Sequence, residues 1–130
     1  MVGMWKPNLE DISSSFDRRG LLLRKAIKKI VDEHNENLKK GLKDKTRKVW
    51  GYVTDKYVVV AKRYIYGNIV SCHAEACFLA FNLKKKIVMY IEDMDKFYVF
   101  DPVEVIFNSE RNYRRGILMF NFDIKLGRRL

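Results

Sequence analysis

Glutamine is absent from the 130 residues and proline occurs twice. The chain is otherwise rich in Lys, Arg, Ile, Val and Tyr. Loss of the thermolabile amide glutamine together with that enrichment is a hyperthermophile's bias, so an archaeal or archaeal-virus source is expected. Cysteine also occurs only twice, at Cys72 and Cys77. In a single helix that spacing turns the thiols about 140° apart, out of reach of a bridge. A disulfide framework is excluded, and a reducing cytoplasm is the expected location. The opening residues MVGMWKPNLEDISSS have no basic stretch followed by an apolar one, so no signal peptide is expected. The longest stretch without Lys, Arg or Asp, Tyr64 to Leu83, is broken by Gly67, Asn68, His73 and Glu75. It is no membrane span, and no basic amphipathic helix with Trp or Phe on its apolar side marks a membrane surface.

What the chain has is positive charge at both ends. Its net charge is +10. Residues 16–48 carry twelve basic and five acidic groups, and residues 110–130 carry six and two. Residues 49–109 balance seven against seven. Cations gathered at two ends of a neutral, apolar centre form an electrostatic footprint for a polyanion. Nucleic acid, with DNA favoured, is the expected partner. With 48% apolar residues, one domain spanning 1–130 has enough core to fold without staples.

The coarse pattern is α-β-β-α-β-β, then a short helix and a strand. Residues 1–12 read as irregular. Ser13 to Ser15 and Asp17 offer N-caps for a long helix with an apolar stripe Leu23, Ile27, Ile30, Val31, His34, Leu38. His34 on that stripe reads as a core or boundary residue. A Glu36–Lys40 pair on the opposite face and a stop at Gly41 complete the helix. Lys48 to Tyr66 reads as a hairpin around Thr54-Asp55, and Gly67-Asn68 as a turn. Ser71 caps a helix over about 72–84 whose Ala74, Cys77, Phe78 and Phe81 should pack on the sheet. A second hairpin joins IVMYIE to KFYVFD. Asp101-Pro102-Val103-Glu104 starts a short helix, NSERNYRRG (108–116) reads as a basic loop, and Leu118, Phe120, Phe122, Ile124 alternate as a strand. That strand offers an edge for a homodimer.

The tripeptide His73-Ala74-Glu75 matches the His-x-Glu of zinc deaminases, which also require a later Pro-Cys-x-x-Cys. No cysteine follows Cys77, and one histidine does not make a zinc site. The letters are better explained by an ordinary helix start.

The order of a long helix, a hairpin ending YVVVAKRY, a helix, IVMYIE and KFYVFDPVEV resembles the archaeal Holliday-junction resolvases and the wider PD-(D/E)xK nuclease superfamily. The resemblance covers about residues 17–106 and rests on strand order more than on motifs. It implies a restriction-endonuclease-like α+β fold: a mixed sheet of about five strands flanked by the long N-terminal helix and the central helix. Lys62 stands where the family's lysine stands, and the family's metal-binding acid two residues earlier is here Val60. The family's other acids map to Asp44 or Asp55 and to Glu33 or Glu36. Mg²⁺ or Mn²⁺, the cofactor of an active member, needs carboxylate oxygens. Two readings follow: a degenerate fold that binds without cutting, which the missing acid favours, or an active nuclease using Lys62 with Asp44 and Glu75 as metal ligands. The expected nucleic-acid contacts are Lys25, Lys28 and Lys29 on the long helix, Lys43, Lys45, Arg47 and Lys48 after it, and Arg111, Tyr113, Arg114 and Arg115 in the late loop. No base-reading helix stands out, so backbone or shape recognition is expected. A small structural or interaction protein is the alternative of another class.

Overall fold

The computed structural model describes residues 18–130. The irregular segment expected at 1–12 and the caps at Ser13 to Ser15 and Asp17 lie outside the described residues. Helix α1 spans Arg18–His34. Leu23, Ile27, Ile30 and Val31 are buried as their spacing requires, joined by Leu22 and Ala26. This stripe packs on Tyr52, Val59, Val88, Tyr90, Phe97 and Val99. Each large side chain so buried contributes about 1.5–3 kcal/mol. His34 takes its boundary place, edge-on to Phe97 with ring centroids 5.8 Å apart.

The helix stops earlier than the expected Gly41. Asn35 takes a left-handed conformation (φ 54°), the helix-ending geometry that asparagine tolerates. The chain then turns back as strand β1 (Leu38–Lys43). The Glu36–Lys40 helical pair therefore does not exist. Glu36 is buried and its Oε1 accepts hydrogen bonds from the Thr54 hydroxyl at 2.8 Å and the Lys56 amide at 2.9 Å.

The first hairpin is as expected, β2 (Val49–Thr54) with β3 (Tyr57–Lys62). Strand β4 (Ile69–His73) takes the place of the helix start expected at Ser71. Its short alternation places Val70 and Cys72 inside, and the Ser71 hydroxyl bonds Asn121 rather than capping a helix. Helix α2 is Ala74–Asn82. It meets the core with Ala74, Ala76, Cys77 and Ala80, while Phe78 and Phe81 stand exposed, the reverse of the expected packing for the two aromatics. Small residues let the helix approach the sheet closely. The second hairpin, β5 (Lys86–Ile91) with β6 (Lys96–Phe100), and helix α3 (Pro102–Asn108) follow the sequence reading. Asp101 caps α3, accepting from the Val103 amide at 2.9 Å. The expected basic loop is in fact strand β7 (Glu110–Arg114), paired with β8 (Ile117–Asp123).

Two sheets result. The larger has order β1-β2-β3-β5-β6-β9, β9 being Arg128–Arg129, and β5 runs parallel to β3 through the α2 crossover. The smaller has order β4-β8-β7. Helix α1 covers one face of the larger sheet; β4, α2, α3 and β8 cover the other around Val58, Val60, Met89, Phe100 and Phe120. The fold is α+β with a mixed sheet. Strand β8 has a neighbour on each side, so twofold pairing through its edge is closed. Among the described residues no helix is long and apolar enough to cross a membrane.

Candidate nucleic-acid interface

Strands β2 and β3 are antiparallel, so Val49 and Lys62 share one end of the sheet, and Thr54 and Tyr57 the other. The β1–β2 connection lies at the Lys62 end. Asp44 builds it: Oδ1 accepts from the Thr46 hydroxyl (2.6 Å), the Thr46 amide (2.8 Å) and the Lys48 amide (3.0 Å). These donors, the Thr46 hydroxyl first, hold the Asp44 carboxyl below its ordinary pKa. The turn presents Lys43, Lys45, Arg47 and Lys48 to solvent.

A second cationic tip faces it. Strands β7 and β8 are joined by the two residues Arg115 and Gly116, flanked by the pair Arg114↔Ile117. Both have positive φ, 51° and 77°, the type I′ geometry that matches strand twist. Between the tips lies a cleft of about 680 Å³. One wall is Lys43, Asp44, Lys45 and Thr46, the other Arg115, Gly116 and Ile117; Trp50, His73 and Glu75 also line it.

Trp50 reaches this position through an irregularity. Alternation along β2 would place it beside Tyr52, facing α1. The β1–β2 register instead steps from Leu42↔Gly51 to Lys43↔Val49 and skips Trp50. Such a bulge re-aims a side chain, and Trp50 packs in the core on the opposite face from Tyr52. Its ring stacks on His73 at 4.8 Å with 9° between planes. Beside this pair is a crevice of only about 10 Å³ lined by Trp50, Val60, Ala61, Lys62, Ser71, Cys72 and His73.

The structure thus brings Asp44, Glu75, Lys43, Lys45 and Arg115 to one cleft and sets Lys62 in the adjoining crevice. It separates the other candidates. Glu36 and Asp55 lie at the far end of β2–β3, where Asp55 bonds Asn37 and pairs with Lys39 at 3.0 Å. Glu33 pairs with Lys29. On α1, Lys25 pairs with Glu92 at 3.5 Å and Lys29 with Asp95 at 3.2 Å, so acids already accompany two of the three expected helix contacts. Lys28 is exposed. Arg111 lies over the Phe120 ring, 5.2 Å from its centroid, while Tyr113 and Arg114 are exposed on β7.

The cysteines differ from expectation. They lie on β4 and α2 rather than in one helix, and their sulfurs are 4.0 Å apart, both as buried free thiols. The Cys77 thiol donating to Cys72, with the nearby Lys62 charge, lowers the Cys72 pKa; the same bond and burial raise that of Cys77. Among the described residues no group of three or more His, Cys, Asp and Glu side chains is placed to hold a metal ion. The donor set does not fit the Mg²⁺ or Mn²⁺ of an active nuclease: Val60 and Trp50 occupy the crevice beside Lys62, and Asp44 Oδ1 is committed to three donors of its own turn.

Sequence reading missed the Trp50–His73 floor and the pair Tyr64 and Tyr66. The first depends on a bulge that leaves no mark in the residue pattern. The second had a signal, two tyrosines flanking Ile65 next to Lys62-Arg63, at the end of the hairpin expected over Lys48 to Tyr66.

Fold and site together define a small basic α+β protein with a mixed sheet and a cleft between two cationic hairpin tips. Compared with known proteins, the chain matches no family model, no curated protein and no solved structure.

Proposed function

We propose that this protein binds nucleic acid, DNA in the first instance, through backbone and shape recognition, and does so without cutting it. One observation carries the reading: two cationic hairpin tips face each other across a single cleft at the Lys62 end of the sheet. Cations on opposite walls suit a strand of phosphates passing between them. The resemblance to the PD-(D/E)xK nucleases points to the same end of the molecule through Lys62; a long helix, an antiparallel hairpin, a helical crossover and a parallel strand are present, with β1 and β4 inserted among them. Val60, standing beside Lys62 where the resemblance requires an acid, supports binding over catalysis. The active-nuclease reading is favoured only by Asp44 and Glu75 lining the same cleft.

The test is fluorescence anisotropy with a labelled four-way junction, a duplex and a single strand, in EDTA and in Mg²⁺ or Mn²⁺, followed by a denaturing gel. Salt-dependent binding with intact product is the expected result. Metal-dependent cutting that disappears in Lys62→Ala would establish the nuclease instead. Failure to bind any of the three at low salt would remove both readings and leave the interaction protein. The exposed Phe78, Phe81, Val103 and Phe107 on α2 and α3 would then be the surface to examine.

A further inference from the structure

Past Lys62 the chain carries Arg63 and then two tyrosines that folding leaves in water. Tyr64 is 54% exposed and Tyr66 78%. They are fixed against each other rather than buried: the rings meet edge to face at 5.2 Å and the hydroxyls are 3.2 Å apart. The backbone beneath them is anchored, since Ile65 packs on the core and the Ile69 amide donates to the Tyr66 carbonyl at 3.2 Å. Tyr113, next to the second cationic tip, is 74% exposed. Exposed rings of this size give up the burial that normally stabilises tyrosine. Rings offered beside cations are the arrangement that takes unpaired bases: each base has a stacking face, and in an intact duplex those faces are covered by neighbouring bases.

We propose that the nucleic acid this protein takes is single-stranded, with bases stacking on the Tyr64–Tyr66 ledge and on Tyr113 while the two hairpin tips hold phosphates; Arg63 beside the ledge is already paired with Glu92 at 3.6 Å. This deepens the reading above and rests on it. The ledge leads off directly from Lys62, whose crevice shares Trp50 and His73 with the cleft; along β4–β8 the ledge lies at the Ile69↔Asp123 end and the Arg115–Gly116 tip beyond the His73↔Met119 end, so an extended strand would run from one to the other.

Anisotropy at low salt with labelled oligothymidylate and oligouridylate of about 12 nucleotides, a length within the range of known single-strand sites, and a duplex of equal length tests this. Either single strand should bind about tenfold or more tighter than the duplex, and the two arms separate DNA from RNA. Tyr66→Ala and Tyr113→Ala should each weaken single-strand binding by about tenfold, the loss expected for one stacked base, and leave duplex binding unchanged. Tyr66→Phe should bind as the wild type does. Melting temperatures equal to wild type show that the variants are folded, and the comparison of strands on the unaltered protein needs no variant. Duplex binding as tight as single-strand binding, or tyrosine variants that lose nothing, overturns the inference while leaving the nucleic-acid reading in place. Absence of binding to both forms removes that reading itself.

Discussion

Glu36 is the buried charged side chain of the described chain, 2% exposed, and it lies where two backbone paths must be joined. Its Oε1 receives the Thr54 hydroxyl and the Lys56 amide, which ties the end of α1 to the β2–β3 turn. Removing the acceptor leaves the Lys56 amide without this partner and the Thr54 hydroxyl with only its long 3.4 Å contact to the Tyr57 carbonyl. Glu36→Ala should therefore destabilise by about 3 kcal/mol, and Glu36→Gln, which keeps a carbonyl oxygen, by about 1 kcal/mol. Urea unfolding should show this as a lower midpoint with an unchanged slope; an Ala variant as stable as wild type would sink the claim. Asp101 makes a pH-dependent case. The Lys86 ammonium at 3.0 Å, and then the Val103 amide, lower its pKa in the folded state. A depressed folded pKa means the contribution is complete above the unfolded value of about 3.9 and fades as pH falls below it. The stability gap between wild type and Asp101→Asn should close over that acidic range. A gap that stays constant from pH 6 down to about 2 would show that the charge of Asp101 contributes nothing.

The hairpins show what a sequence reveals about elements and what it hides. The β2–β3 and β5–β6 hairpins and the capped start of α3 were legible because apolar alternation, a polar turn and an Asp-Pro start announce them. Strand β7 was not, since all five of its residues are exposed and no alternation marks it; pairing to β8 makes it a strand. Nor was α2's orientation, because two phenylalanines outweigh three alanines in any apolar count while only the alanines allow close approach. The helix stop at Asn35 was equally hidden, as Leu38 fits both the helical stripe and the strand that replaced it. For the site, the cationic clusters could be read, whereas their meeting across a cleft depends on the β7–β8 turn. That turn sets Arg115 at φ 51°, a conformation better suited to asparagine. Arg115→Asn should therefore keep or slightly raise the melting temperature while weakening nucleic-acid binding. Loss of stability in this variant would mean that Arg115 serves the fold rather than the cleft.

At the scale of the molecule, two groups of cations differ in their surroundings. The α1 lysines cover one face of the sheet, and Lys25 and Lys29 are matched there to Glu92, Glu33 and Asp95. These pairs are partly exposed and contribute little to stability, yet they lower the positive potential of that face. The hairpin tips form the other set, gathered around the cleft with Asp44 and Glu75 as its acids. If phosphates are held at the tips, affinity must fall with salt in proportion to the number of contacts, with a slope of about −0.7 per phosphate for a single strand. Replacing Arg114 by Gln together with Arg115 by Asn removes two candidate contacts. The double variant should lose affinity for every sequence about equally, and its salt slope should be shallower by about 1.4. Lys25→Gln with Lys29→Gln removes the same formal charge from the opposite face and should leave the slope unchanged. Anisotropy titrations across a salt series compare the two directly. Equal losses from both variants would mean that net charge alone attracts the nucleic acid, and a larger loss from the helix variant would place the binding surface on α1. Only a loss confined to the hairpin tips fits a strand held in the cleft.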